Sequence, residues 1–107
     1  MLKKNKISKL PIRKKRILFK CTHRGTKELD ILLGNYVSIH INKLISKELD
    51  YLDVILGFND MDLFKILTKK KEISKKINKF FINKIIKFNQ KFNKYVFYTR
   101  KHDKYIK

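Results

Sequence analysis

Apolar residues recur along this chain at helical spacing, and no segment sustains the period-2 alternation of a strand. Leu29, Leu32, Leu33, Tyr36, Val37, His40 and Leu44 fall within one stripe at i, i+3, i+4, i+7 steps, which predicts an amphipathic helix with these positions turned inward. Ile17, Leu18 and Cys21 mark an earlier helix over 13–23, Gly25 interrupts it, and Thr26 is the expected N-cap of the next. Glu28 and Asp30 then sit in the first turn, where carboxylates oppose the positive end of the helix dipole. Gly34 inside this helix costs ~1 kcal/mol relative to Ala, a cost that a close helix crossing would explain.

The pattern continues downstream. Ser46 is the expected cap of a third helix with Leu49, Leu52, Ile55 and Leu56 inward. Gly57-Phe58 suits a left-handed ending that folds Phe58 back toward Leu52. Asn59-Asp60-Met61-Asp62 opens a fourth helix, which carries Leu63, Phe64 and Leu67 and runs into Lys69-Lys70-Lys71. Over 72–98 one long stripe holds Ile73, Ile77, Phe80, Phe81, Ile85, Phe88, Phe92, Tyr95 and Val96, with Ile82, Ile86 and Phe97 falling off it. A fifth helix covering the bundle is the plain reading; a basic amphipathic helix on an anionic membrane or on a partner is the alternative. The expected fold is all-α, a small five-helix bundle with a basic N-terminal arm and an extended C-terminal helix.

The 107 residues fit one domain with extensions: a basic flexible arm over 1–12, punctuated by Pro11, a helical domain over 13–98 and a basic tail over 99–107. No apolar run approaches the ~18 residues of a membrane span, and the first dozen residues lack the apolar core of a signal peptide. The single cysteine, Cys21, forms no internal disulfide, which fits a reducing compartment.

A net charge of +19 suggests nucleic acid, but the distribution argues otherwise. Residues 1–20 hold nine basic residues and no acids, residues 21–71 eight and seven, and residues 72–107 eleven and two. The excess lies in the ends. Only Arg13, Arg16, Arg24 and Arg100 among the 28 basic residues are arginines, whereas base and phosphate recognition favours the planar guanidinium. Specific nucleic-acid binding is therefore not expected, although a basic nucleic-acid- or ribosome-associated helical protein is kept as the alternative reading. Non-specific attraction to polyanions at low salt follows from charge alone.

No catalytic or metal-binding pattern stands out: there is no HExxH, no phosphate-cradling Gly-rich loop and no CxxC. His40 on an apolar helix face reads as a packed, hydrogen-bonded histidine, His23 as a surface residue beside Arg24-Gly25, and His102 as part of the tail. Cys21 and His23, two residues apart on a helix, point in different directions and do not make a dyad. A non-enzyme is expected, with no metal.

One segment has two readings. Arg24-Gly25-Thr26-Lys27-Glu28 is either a plain helix-to-helix turn with a solvated arginine, or an exposed corner where Gly25 admits another backbone between opposite charges on Arg24 and Glu28. With its flanks, Arg16-Ile17-Leu18-Phe19 before it and Leu29-Asp30 and Leu32-Leu33-Gly34-Asn35-Tyr36 after it, the segment closely resembles the Arg-Gly-x-x-Glu signature of the SdhE family. Glu48-Leu49-Asp50, Leu52 and Asp60-x-Asp62-Leu63-Phe64 continue the likeness, which is best over 16–67. The resemblance implies a five-helix fold of the SdhE type. It also implies an assembly chaperone that binds the flavoprotein subunit of succinate dehydrogenase, or also that of fumarate reductase, and promotes covalent FAD attachment. Carried over by position, the implied partner-binding residues are Arg24, Gly25 and Glu28, with Arg16 and Asp30 beside them. The FAD, and the histidine that bonds it, belong to the partner, so no stably bound cofactor is implied here. A monomer with a transient partner, in bacterial cytoplasm or alternatively the mitochondrial matrix, completes the expectation.

Overall fold

A computed structural model of the chain describes residues 10–92. Among them the chain is all-α: five helices, no strand. Helix α1 is Ile12–Thr22. Helix α2, over 27–40, is three continuous pieces, Lys27–Leu29, a π-helical Asp30–Gly34 and Asn35–His40, and a 3-10 turn at Ile41–Lys43 follows. Helices α3, α4 and α5 are Ser46–Leu56, Asp60–Leu67 and Lys79–Phe92.

Helix α2 is the axis of the bundle. Its π segment packs on α1 and α5, its first turn on α4, and α1 also lies against α3. Leu32, Leu33, Val37, Ile41, Leu52, Ile55, Leu63, Leu67, Ile82 and Ile85 are fully buried at the centre. Leu10 is buried in the same core and Ile12 is already helical, so the folded part includes residues assigned above to the arm. The rest of the arm, residues 1–9, and the whole 99–107 tail lie outside the described residues.

Local signals set most boundaries. Thr26 has extended backbone and its hydroxyl accepts from the Leu29 amide, so the expected N-cap is present. Asn59 Oδ1 accepts from Asp62 N at 2.8 Å and starts α4 as the sequence predicts. At Gly34 an added Cβ would lie 3.0 Å from the Cys21 carbonyl oxygen and 3.1 Å from Thr22 Cγ2, so glycine is what lets α1 cross α2 this closely.

Two helix ends differ from expectation. The cap of α3 is Ile45 rather than Ser46: Ile45 has no accepting side chain, and the end is closed instead by Glu48, whose carboxylate accepts from Ile45 N at 3.1 Å. Gly57 does not take a left-handed conformation; its φ of −77° is right-handed. The left-handed ending sits one helix later, at Lys69 (φ 61°), where Lys69 N donates to Ile66 O and Lys70 N to Lys65 O, the paired bonds of a Schellman motif.

The fifth helix does not span 72–98. Ser74 Oγ accepts from Lys76 N, and Asn78 Oδ1 accepts from Phe81 N at 2.8 Å, so these two side chains compete with helix upstream and cap it at Lys79. The buried face consequently differs from the predicted stripe. Ile82 and Ile86 are buried with Phe81 and Ile85, whereas Phe80 is 77% exposed. Tyr95, Val96 and Phe97 lie outside the described residues.

Candidate protein-docking site

The break between α1 and α2 is organised by Arg24. Its backbone N–H donates to Asp30 Oδ1 at 3.0 Å, so the acid in the π segment closes the loop from below. Its guanidinium reaches across to the α3–α4 corner. Nη1 donates to Leu56 O at 2.8 Å, Nη2 to Phe58 O at 2.6 Å, and Nε to Asp60 Oδ1 at 2.9 Å. Nη2 also lies 2.8 Å from the same Asp60 oxygen. The Arg24 side chain is only 12% exposed, so the solvent-facing arginine expected at this corner is not there. Three of its donors are spent inside the chain.

Gly25 follows with φ +98°, a conformation that costs L residues energy, and an added Cβ would meet no atom within 4 Å. The exposed backbone of Gly25 is open to a visitor. Glu28 stands exposed in the first turn of α2. It lines an open groove of about 560 Å3 together with Thr26, Asp60, Met61, Phe64, Lys65 and Lys70. Phe64 is half-buried, and Met61 is 68% exposed at the start of α4.

The predicted site residues therefore separate. Gly25 and Glu28 share the exposed corner; Arg24 and Asp30 hold that corner in shape from within; Arg16, exposed on α1, does not line the groove. The periodic reading does not bring Met61 and Asp60 to this groove; Phe64, expected on the apolar side of α4, packs against the core and also lines the groove. Their role depends on α4 packing against the first turn of α2, a long-range contact with no local signature.

The other chemistry-bearing groups are structural. His40 Nδ1 lies 2.8 Å from Tyr36 O, and its ring stacks on Tyr36 with centroids 4.2 Å apart, as expected of a packed histidine. His23 is exposed and stacks on Phe19, while Cys21 is buried, with burial pushing its thiol up to about 12. Among the described residues no three His, Cys, Asp or Glu side chains converge as metal ligands, and no helix is long and apolar enough to cross a membrane.

A family model described as the flavinator of succinate dehydrogenase matches residues 15–89, which include every element of this site. The chain belongs to that family. Among curated proteins it is similar to a succinate dehydrogenase assembly factor 2, mitochondrial, of Dictyostelium discoideum, 33% identical over 64% of this chain and 49% of the relative. It is 37% identical to an FAD assembly factor SdhE of Acetobacter pasteurianus over 50% of each chain. To an FAD assembly factor SdhE of Legionella pneumophila it is 36% identical over 60% of this chain and 80% of the relative. The chain thus spans about half the length of the first two of these relatives. No solved structure matches it. The family match reaches well beyond the 16–67 segment that carries the motif resemblance and takes in most of α5.

Proposed function

We propose that this chain is an assembly factor for succinate dehydrogenase that docks on its flavoprotein subunit and promotes covalent attachment of FAD there. The observation that carries the reading is the Arg24–Glu28 corner in a chain of the flavinator family: an open glycine backbone and an exposed carboxylate beside a groove, held rigid by a buried arginine clamp. The relatives named as assembly factors for succinate dehydrogenase or for FAD support it.

The chemistry this surface offers is positioning. Gly25 admits a partner strand or loop close to the backbone, Glu28 accepts hydrogen bonds or pairs with a cation, and Met61 and Phe64 supply apolar contact. Binding one conformation of the flavoprotein holds flavin and acceptor side chain in near-attack geometry, which lowers the barrier without a catalytic group from this chain. The preorganised corner keeps the ordering cost of docking low.

The test is co-expression with the cognate flavoprotein subunit in cells lacking their own factor, followed by flavin fluorescence of that subunit after denaturing electrophoresis. Covalent flavin should rise with the wild-type chain and fall with Glu28→Ala, a surface change that leaves folding intact. Equal flavin with and without the chain would refute the reading.

A further inference from the structure

Between the turn that ends α4 and the first turns of α5 lies a second open groove, of about 610 Å3, which adjoins the docking groove and shares Lys70 with it. Lys69, Lys70, Lys71 and Lys79 line it against the one carboxylate of Glu72. Lys71 is held by Asp62 at 2.9 Å, and among the described residues no carboxylate forms an ion pair with Lys69 or Lys79.

Folding alone does not favour this arrangement. Lys69 occupies a left-handed position that glycine would fill without strain, and Lys79 opens a helix whose first turn holds no acid, where the dipole disfavours a cation. Like charges around one groove raise the energy of the folded state, and an anion between them lowers it. The lining adds the Asn83 amide as a polar contact and Ile66 and Ile86 as apolar wall, room for a ligand body beside its charged group. The volume lies within the ~300–1,000 Å3 of small-molecule sites.

We propose that this groove binds a phosphate-bearing anion, its phosphate groups held by Lys69 and Lys79, with Lys70 and Lys71 adding to the positive rim. Phosphates match the cluster better than a carboxylate does, because linked phosphates bring several negative charges and acceptor oxygens where one carboxylate neutralises a single cation. Lysine, a point charge with three donors on a flexible stem, meets such oxygens without a fixed planar geometry. The inference is independent of the docking reading, since it concerns this chain alone.

The experiment is calorimetric titration of the full chain with inorganic tripolyphosphate at about 0.15 M ionic strength. One saturable site is expected, about tenfold weaker in Lys69→Gln/Lys79→Gln and unchanged in Lys15→Gln/Lys20→Gln, which removes the same charge from α1. In the wild type the ligand should also shift the Asn83 side-chain amide resonances, a readout that does not depend on any variant folding. No saturable site, equal weakening in the two variants, or an unmoved Asn83 would overturn the proposal and leave only attraction to net charge. Phosphatidylcholine vesicles with and without a phosphatidylinositol phosphate separate the sources. Vesicle capture displaced by tripolyphosphate and lost in the groove variant assigns the phosphate to a lipid headgroup. Tripolyphosphate binding without vesicle capture assigns it to a soluble phosphate compound.

Discussion

Arg24 and Asp60 join the two ends of the candidate docking corner: two guanidinium nitrogens, Nε at 2.9 Å and Nη2 at 2.8 Å, share one carboxylate oxygen. The same guanidinium satisfies the carbonyls of Leu56 and Phe58 after α3, so one side chain fixes the α1–α2 loop against the α3–α4 turn. Arg24→Ala should destabilise by about 1–3 kcal/mol, because it removes the donors to two part-buried carbonyls, while Asp60, 37% exposed, falls back on water. Arg24→Lys should recover part of that, since one ammonium cannot serve three divergent acceptors. Urea unfolding measures both. An Arg24→Ala variant as stable as wild type would refute the clamp. It follows that loss of flavinylation in Arg24→Ala conflates folding with docking, and Glu28→Ala is the cleaner probe.

The two glycines flanking α2's first turns should respond in different ways. Gly25→Ala meets no atom and costs only the unfavourable φ, about 1–2 kcal/mol. Gly34→Ala gains up to ~1 kcal/mol in helix propensity but drives its methyl against the Cys21 carbonyl, a backbone group that moves only if α1 moves. Overpacking of this kind typically costs about 1–3 kcal/mol. Thermal melts of the two variants check the magnitudes, and amide exchange distinguishes the mechanisms: Gly34→Ala should loosen α1, and Gly25→Ala should not.

What is legible in the sequence here is what is local. Thr26 and Asn59 announce their caps because acceptor and amide lie three residues apart, and α2 is legible from the stripe Leu29, Leu32, Leu33, Tyr36 and Val37, whereas beyond the π segment Ile41 rather than His40 is fully buried. The role of Arg24 is not legible, because its side-chain partners lie 32 to 36 residues further along and local chemistry gives an arginine beside a glycine no reason to turn inward. Helix five fails for a related reason. A periodic stripe continues through Ser74 and Asn78, but those residues bond their own neighbours, and the helix that starts at Lys79 buries Ile82 and Ile86 beside Phe81 and Ile85. The family motif falls on this corner, but which of its residues face solvent and which support the corner from within is set by the packing.

Asn89 on α5 is fully buried and donates to Leu32 O at 2.6 Å and to Ile85 O at 3.0 Å. Leu32 lies in the π segment, so this amide ties α5 to the irregular turn of α2. Asn89→Leu keeps the branched side-chain skeleton and removes the amide. The expected loss is about 0.5–1.5 kcal/mol, the net worth of the hydrogen bond between the helices, and amide exchange within 30–34 should quicken relative to α3. Unchanged stability would mean that the Leu32 carbonyl is satisfied without Asn89.

Cys21 gives the chain an alkaline limit. Burial raises its thiol from 9.0 to about 12, opposed by the charge of Arg24 and reinforced by that of Asp53. The folded state thus keeps a proton that the unfolded chain releases near its ordinary value. The sign follows from linkage: the contribution is complete below about pH 9 and declines as pH rises toward about 12, by up to ~1.4 kcal/mol per pH unit. The observable is a difference between two chains, which cancels every contribution they share. Unfolding free energies of wild type and Cys21→Ala should differ by a constant below about pH 8.5 and then converge as the pH rises to about 10.5, because only the wild type loses the thiol's share. Curves that stay parallel would mean that Cys21 is accessible enough to ionise in the fold. Alkylation provides the second check, since a neutral thiol sealed between α1 and α2 should react with iodoacetamide only at the rate at which the bundle opens.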